Sequence, residues 1–423
     1  MDSETDRQTN DADETGGPPG DVDPECLPVL EEYVSPAPAE PVTEILELDC
    51  SVVIDTPLDS KYRLPNAGRA FLWSLLLFGS QLVVGLVIGV VLVVMMMASG
   101  QIQMPRDLSS NIAGESRLID RILVPLATLL TLGTSVGVVV LLFRKETSRC
   151  MGLRGMTLTQ TVLVLLSVLP CALLASEVTN CASEVLPNIS IDFFTQFAQE
   201  SWWLVFVAAC LFPGLGEELF FRGFLSRGLL AHHGAWLGTL ITAFYFGAIH
   251  LHPIQACGAF ALGLALQFVF LTTRSLWGAI LLHTANNAVA FLAMRYGHLV
   301  PILGFTTNSP AEPAADVSPT PRYDLYIEAA NGAEPGTIAH TAPLLLIAAT
   351  VAVAAIAWAL LRTRTRWLRA DGTEWSRCFQ SAEGPRLEES VQTVSSRLDE
   401  VTVSVVLLAN VAFFAALFFH VQH

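Results

Sequence analysis

The sequence predicts an all-α polytopic membrane protein, a bundle of about 8–9 transmembrane helices with a central polar cavity. Three observations predict it. The 423-residue chain is 52% apolar and only 15% charged, against about 25% charged in ordinary soluble proteins. Apolar runs of membrane-spanning length recur along it. Its acidity is confined to one end: residues 1–60 hold 17 of the 39 Asp and Glu and one basic residue, Arg7, which accounts for the whole net charge of −16. The rest is balanced, with 22 acids and 22 bases. Without a basic footprint, nucleic acid is excluded as a partner.

The acidic segment 1–60 is rich in Pro, Gly and Thr. Such a segment buries too little apolar area to offset the entropy of ordering, so a disordered, solvated tail is expected. It starts acidic and lacks an early apolar core, unlike a signal peptide. A membrane helix needs about 20 mostly apolar residues. Runs of this kind predict spans over 71–97, 122–143, 157–176, 202–230, 235–251, 255–272, 276–294, 342–361 and 403–420. They divide the chain into N-terminal transmembrane helices (61–201), core helices (202–294), a Pro/Ala-rich irregular loop (295–341) and C-terminal transmembrane helices (342–423). The last region includes a link, 362–402, expected to be amphipathic or flexible.

Basic residues near span ends set orientation. Lys61, Arg63 and Arg69, then Arg144 to Arg154, Arg274, and Arg362 to Arg369 fall on one side if there are nine spans and the N-terminus is cytoplasmic. The link 177–201 has no Lys or Arg and falls on the other side; the link 98–121, with Arg106, Arg117 and Arg121, fits less well. An integral protein of the plasma (inner) membrane is expected.

Several motifs carry little. The eight cysteines form no C-x-x-C pair, so neither a zinc ribbon nor a thioredoxin-type motif is written here. Cys171 and Cys181 are placed to approach each other at one membrane face, although membrane cysteines mostly act as small apolar fillers. Gly85-x-x-x-Gly89 permits close approach of a neighbouring helix. Gly133-Thr134-Ser135-Val136-Gly137 matches a nucleophile elbow, but that motif needs a strand–turn–helix and here lies within an apolar span. No H-E-x-x-H and no phosphate loop is present. His232 and His233 fall in a turn, His252 at a membrane face, and His298, His340, His420 and His423 at ends or links.

The chemistry-bearing residues lie in the core spans. Glu217, Glu218 and Arg222 sit inside an apolar run, where each ionisable group costs at least about 2.5 kcal/mol on insertion scales. Glu218 and Arg222 are four apart and share a helix face, so they can pair. Glu217, rotated by about 100°, is the freer carboxylate. Phe246 and His250 end one neighbouring span; His283 and Asn287 share a face of another. Counting about 1.5 Å per residue from the assigned cytoplasmic ends places Glu217 at about 20 Å, His250 at about 22 Å, Asn287 at about 16 Å and His283 at about 10 Å. With tilt, all reach one cavity. A carboxylate and an imidazole can share an attacking water as general base, and donors aimed at a developing oxyanion stabilise it. The competing readings are a buried ion cluster holding helices together, or a transporter; transporters commonly carry inverted repeats, and none is apparent here.

The ordered set Glu217-Glu218-x-x-x-Arg222, Phe246-x-x-x-His250 and His283-x-x-x-Asn287 resembles the CAAX-protease and bacteriocin-processing membrane peptidases, which include the Ras-converting enzyme. The resemblance covers roughly 202–294. It implies an intramembrane endopeptidase acting on membrane-associated peptides or proteins. Glu217 and His250 would activate water, His283 and Asn287 would stabilise the oxyanion, and Glu218, Arg222 and Phe246 would support the site. No cofactor is favoured. The alternative is catalytic zinc held by Glu217, His250 and His283, since two histidines and a glutamate form one known type of zinc shell. That use leaves Glu218, engaged by Arg222, as the only base, and gives Asn287, a poor zinc ligand, no role.

Overall fold

The structure, a computed structural model, describes residues 65–98, 112–143, 151–186, 197–250, 252–296, 340–374 and 391–422. All of them lie in one compact unit, Cys50–His423. The acidic segment 1–60 and residues 297–339 of the expected irregular loop fall outside the described residues, as does the side-chain environment of Gly85 and Gly89.

The described chain is built from helices. In order they are α1 (Ala67–Ala98), α2 (Ile112–Phe143), α3 (Leu158–Val185), the 47-residue run α4 (Trp202–Ala248), α5 (Pro253–Thr273), α6 (Leu276–Tyr296), α7 (Pro343–Arg362) and α8 (Glu400–Gln422). Seven runs among the described residues are long and apolar enough to cross a membrane, α4 being counted as one of them. At 1.5 Å per residue, 47 residues would reach about 70 Å, more than twice the roughly 30 Å hydrocarbon core. The chain does not extend that far. Gly234 breaks the run with φ 74° and ψ 179°, a conformation open to glycine because it has no Cβ. Beyond it the helix folds back: a Cβ on Gly238 would lie 2.8 Å from the Leu230 Cα, whereas eight residues of continuous helix rise about 12 Å. The expected division into spans 202–230 and 235–251 therefore survives as two arms of one helical hairpin.

α3 starts with a capping box. The Thr157 hydroxyl accepts from the Gln160 N–H (3.2 Å), and the Gln160 Oε1 accepts from the Thr157 N–H (3.2 Å), which satisfies two donors left open at a helix start. The Gln160 amide also donates to the Thr363 carbonyl (2.8 Å), joining the start of α3 to the end of α7. The predicted span 157–176 stops too early. α3 continues to Val185 because Glu177, Asn180 and Glu184 continue the helix and find polar partners. That extension overturns the expected approach of Cys171 to Cys181. Both lie on α3, ten residues or about 15 Å apart, and both are free thiols.

α5 begins at Pro253 behind His252, whose Nδ1 accepts from the Gln255 N–H (3.3 Å) as an N-cap. It ends at Arg274, a non-glycine residue with φ 51°. The link 362–402, expected to be an amphipathic or flexible loop, contains an antiparallel pair. β1 (Thr365–Arg369) pairs with β2 (Val391–Ser395), Trp367 facing Thr393. Trp367 is buried, with the guanidinium carbons of Arg154 and Arg274 4.3 and 4.1 Å from its ring centroid. Five-residue strands are too short for an apolar run to announce them. Burial and the nearby Arg274 pull the Arg154 pKa down to about 9.

The core is aromatic and lies around the hairpin. Phe220, Phe221, Phe224, Phe246 and Phe270 are buried together with leucines of α3, α5 and α6. Close helix approach depends on glycines. A Cβ on Gly216 would lie 2.9 Å from the Leu132 Cα of α2, and one on Gly214 would overlap the Thr284 hydroxyl of α6.

Candidate active site

Of the residues predicted from the sequence, Glu218, Arg222, Phe246, His250 and His283 meet in this core. Glu218 and Arg222 are both fully buried and joined at 2.8 Å, the Arg222 Nη1 donating to the Glu218 Oε1. The same oxygen lies 2.8 Å from the Nδ1 of His283. The Arg222 Nη2 donates to the Gly263 carbonyl of α5 at 3.0 Å. Four helical elements are thereby tied through one carboxylate and one guanidinium: the two arms of α4 by packing, α5 through Gly263, and α6 through His283.

Phe246 is the apolar floor of this cluster. Its ring carries the Arg222 guanidinium at 4.4 Å and makes edge contacts with His250 (5.4 Å), His283 (5.5 Å) and Phe221 (5.4 Å). A ring face attracts a cation, and its edge suits another aromatic. One phenyl group thus positions three polar side chains without offering them a hydrogen bond.

The two histidines are oriented alike. The His250 Nδ1 lies 2.9 Å from the Phe246 carbonyl. A carbonyl only accepts, so Nδ1 carries the proton and Nε2 is left as the free position. His283 points Nδ1 at a carboxylate oxygen that already accepts from arginine, so there too Nδ1 donates. Asn287 donates from Nδ2 to the Ala209 carbonyl at 3.3 Å and retains its other N–H and its oxygen. Glu217 is half-buried, and its Oε2 is a buried oxygen with no hydrogen-bond partner.

Local backbone explains part of this arrangement. α4 contains two π-helical stretches, Phe206–Leu211 and Leu219–Leu225, which flank the short segment carrying Glu217 and Glu218. π turns are uncommon and gather at functional sites. Ala209, the acceptor for Asn287, lies in the first, and Arg222 in the second. No residue type signals a π turn, so neither was legible in the sequence. The elbow-like Gly133–Gly137 segment is ordinary helix within α2, with Ser135 fully buried.

The three ligand atoms of the zinc alternative do not all lie within 4.8 Å of one another. Among the described residues, the group of His, Cys and carboxylate ligands lying mutually within 4.8 Å is Glu177, Cys181 and His340, not Glu217, His250 and His283. A zinc shell with bonds of about 2.0–2.2 Å to N and O would require the core residues to close up.

Residues 199–289 match the family model described as type II CAAX prenyl endopeptidase Rce1-like. The matched stretch contains all seven predicted site residues and bears out the resemblance read from their motifs. No curated protein and no solved structure matches the chain. The match, together with the seven apolar helices, supports an integral membrane protease of the CAAX type.

Proposed function

We propose that the protein is an intramembrane endopeptidase that hydrolyses peptide bonds of membrane-associated substrates with water activated by Glu217 and His250. The observation that carries this reading is the division of labour between adjacent glutamates. Glu218 engages Arg222 and His283 through its Oε1, whereas Glu217 makes neither bond; each glutamate keeps a buried Oε2 without a hydrogen-bond partner. A buried, unsatisfied carboxylate is costly and is suited to receive a proton from water. His250, with its proton on Nδ1, presents a basic Nε2 to the same task.

His283 and Asn287 supply the oxyanion donors. To donate to the oxyanion His283 must carry a hydrogen on Nε2 as well as on the Nδ1 that faces the Glu218 carboxylate. Asn287 contributes its remaining amide hydrogen. Prenylated C-terminal peptides are the substrate class the family description suggests.

The second reading, zinc at Glu217, His250 and His283, draws support from one feature. Both histidines anchor Nδ1 on an oxygen and free Nε2, as ligating histidines do. The three ligand atoms are not all within 4.8 Å of one another, and the metal-free assignment gives every residue a role. The test is cleavage of a peptide library, prenylated and unprenylated, by the purified protein, with Glu217→Ala as control. Activity that survives prolonged chelation and disappears in the variant supports the metal-free site. Activity lost on chelation and restored by zinc, together with zinc lost from His250→Ala and His283→Ala, overturns it.

A further inference from the structure

We propose that Glu177, Cys181 and His340 form a zinc-class divalent cation site, remote in sequence from the peptidase residues, that clamps the entry of α7 onto the end of α3. The last turns of α3 present Glu177, Cys181 and Glu184 at i, i+4 and i+7, one face of the helix. His340, 163 residues from Glu177 in the chain, inserts between the two glutamates. Its Nδ1 lies 2.7 Å from the Glu177 Oε1, and its Nε2 lies 2.9 Å from the Glu184 Oε1. One ligand atom from each of Glu177, Cys181 and His340 lies within 4.8 Å of the other two.

The donor set has a chemical preference. Calcium and magnesium take oxygen shells, whereas thiolate with imidazole selects zinc and its neighbours. Zinc bonds of about 2.3 Å to sulfur and 2.0–2.2 Å to nitrogen and oxygen need small shifts: the His340 Nδ1 and Glu177 Oε1, 2.7 Å apart, must part to admit the metal. Cys181 and His340 are exposed and can make that adjustment. Binding replaces the hydrogen between the His340 Nδ1 and Glu177 with the metal and releases the thiol proton of Cys181; water fills the fourth position.

The surroundings of the trio are also those of a metal site. Glu177 is held by its second oxygen, which accepts from the Thr341 N–H (3.0 Å) and the Asn180 amide (3.2 Å). Its first oxygen is thereby turned toward His340. Glu184 takes the other ring nitrogen of His340, the carboxylate–histidine relation that orients ligating histidines. A plain ion cluster of one histidine and two carboxylates would have no use for a thiol between them. The site stands at one end of the α3–α7 contact, where Leu173 packs with Leu345 and Ala349. A metal there staples two helices whose connection runs through the rest of the bundle.

The full-length protein, stripped of metal in detergent, is titrated with cobalt(II) and then with zinc. The expected result is a near-ultraviolet sulfur-to-cobalt charge-transfer band with visible bands of tetrahedral intensity at one equivalent, both lost when zinc displaces the cobalt. Cys181→Ser should remove the charge-transfer band. His340→Ala should weaken binding at least tenfold, and Glu184→Gln by about 10–100-fold. His250→Ala and His283→Ala should leave the spectrum unchanged, which separates this clamp from zinc at the catalytic core. Absence of the band from folded wild-type protein overturns the proposal. So does a band that persists in Cys181→Ser, or one that vanishes in His250→Ala or His283→Ala while persisting in His340→Ala.

Discussion

Glu217 and Glu218 are one peptide bond apart and do different work. Glu217→Gln is expected to abolish turnover while leaving a folded, inserted protein, because it removes the base and keeps the shape. Glu218→Gln removes the charge that Arg222 and His283 share. Breaking a buried pair typically costs about 3–5 kcal/mol, so this variant should lose activity and thermal stability together. Melting in detergent beside a single-turnover assay separates the two outcomes; a Glu217→Gln enzyme with near-full activity would reverse the assignment. Phe246→Leu is a third test. It preserves apolar bulk and removes the ring that meets Arg222 and both histidines. The expected result is a large fall in kcat with a smaller change in melting temperature.

Within single helices the site was legible, because its motifs are pairs four residues apart and a helix brings such pairs together whatever surrounds it. Glu218–Arg222 and Phe246–His250 are of this kind. Contacts between helices were not legible. Nothing local to His283 says that it faces Glu218, 65 residues away, or that Asn287 reaches Ala209. The same limit hid the meeting of His340 with α3: a histidine in a polar link has no periodicity to place it. Glycines along α2 and α4 offer a test of this packing at the level of the element. Gly216→Ala should force α2 away from α4 at Leu132 and cost about 1–3 kcal/mol. Gly133→Ala and Gly137→Ala meet open space and should leave the melting temperature nearly unchanged. Equal losses at all three positions, measured in the same detergent, would contradict the close approach at Gly216.

At the scale of the molecule, the hairpin at Gly234 decides which compartments the ends occupy. If each arm of α4 crosses, the described helices make nine passes, and the basic residues around Arg154, Arg274 and Arg362 to Arg369 share a side. Their convergence on Trp367 is consistent with this, since Arg154 and Arg274 meet its ring directly. The prediction is a cytoplasmic N-terminus with the C-terminal end of α8 on the opposite face. Single cysteines placed near 190 and near 370 should label from opposite sides of sealed vesicles. Labelling from the same side would remove the model.

The second arm of α4 has a further consequence for the surrounding lipid. From the break at Gly234 to Ala248 it offers 14 residues, about 21 Å of rise, and Trp236, Leu240 and Phe244 form an exposed apolar stripe along it. A lipid-facing helix this short draws the two leaflets together at its flank. His250 lies just past its end, where the hydrocarbon barrier would be thinnest. The solvent molecule consumed in each cleavage would then be delivered through a local dent in the bilayer, and acyl-chain length would become a kinetic variable. Reconstitution into phosphatidylcholine vesicles of increasing chain length should lower turnover as the chains lengthen, with the fold intact by circular dichroism. A rate indifferent to chain length would show that water arrives by another route.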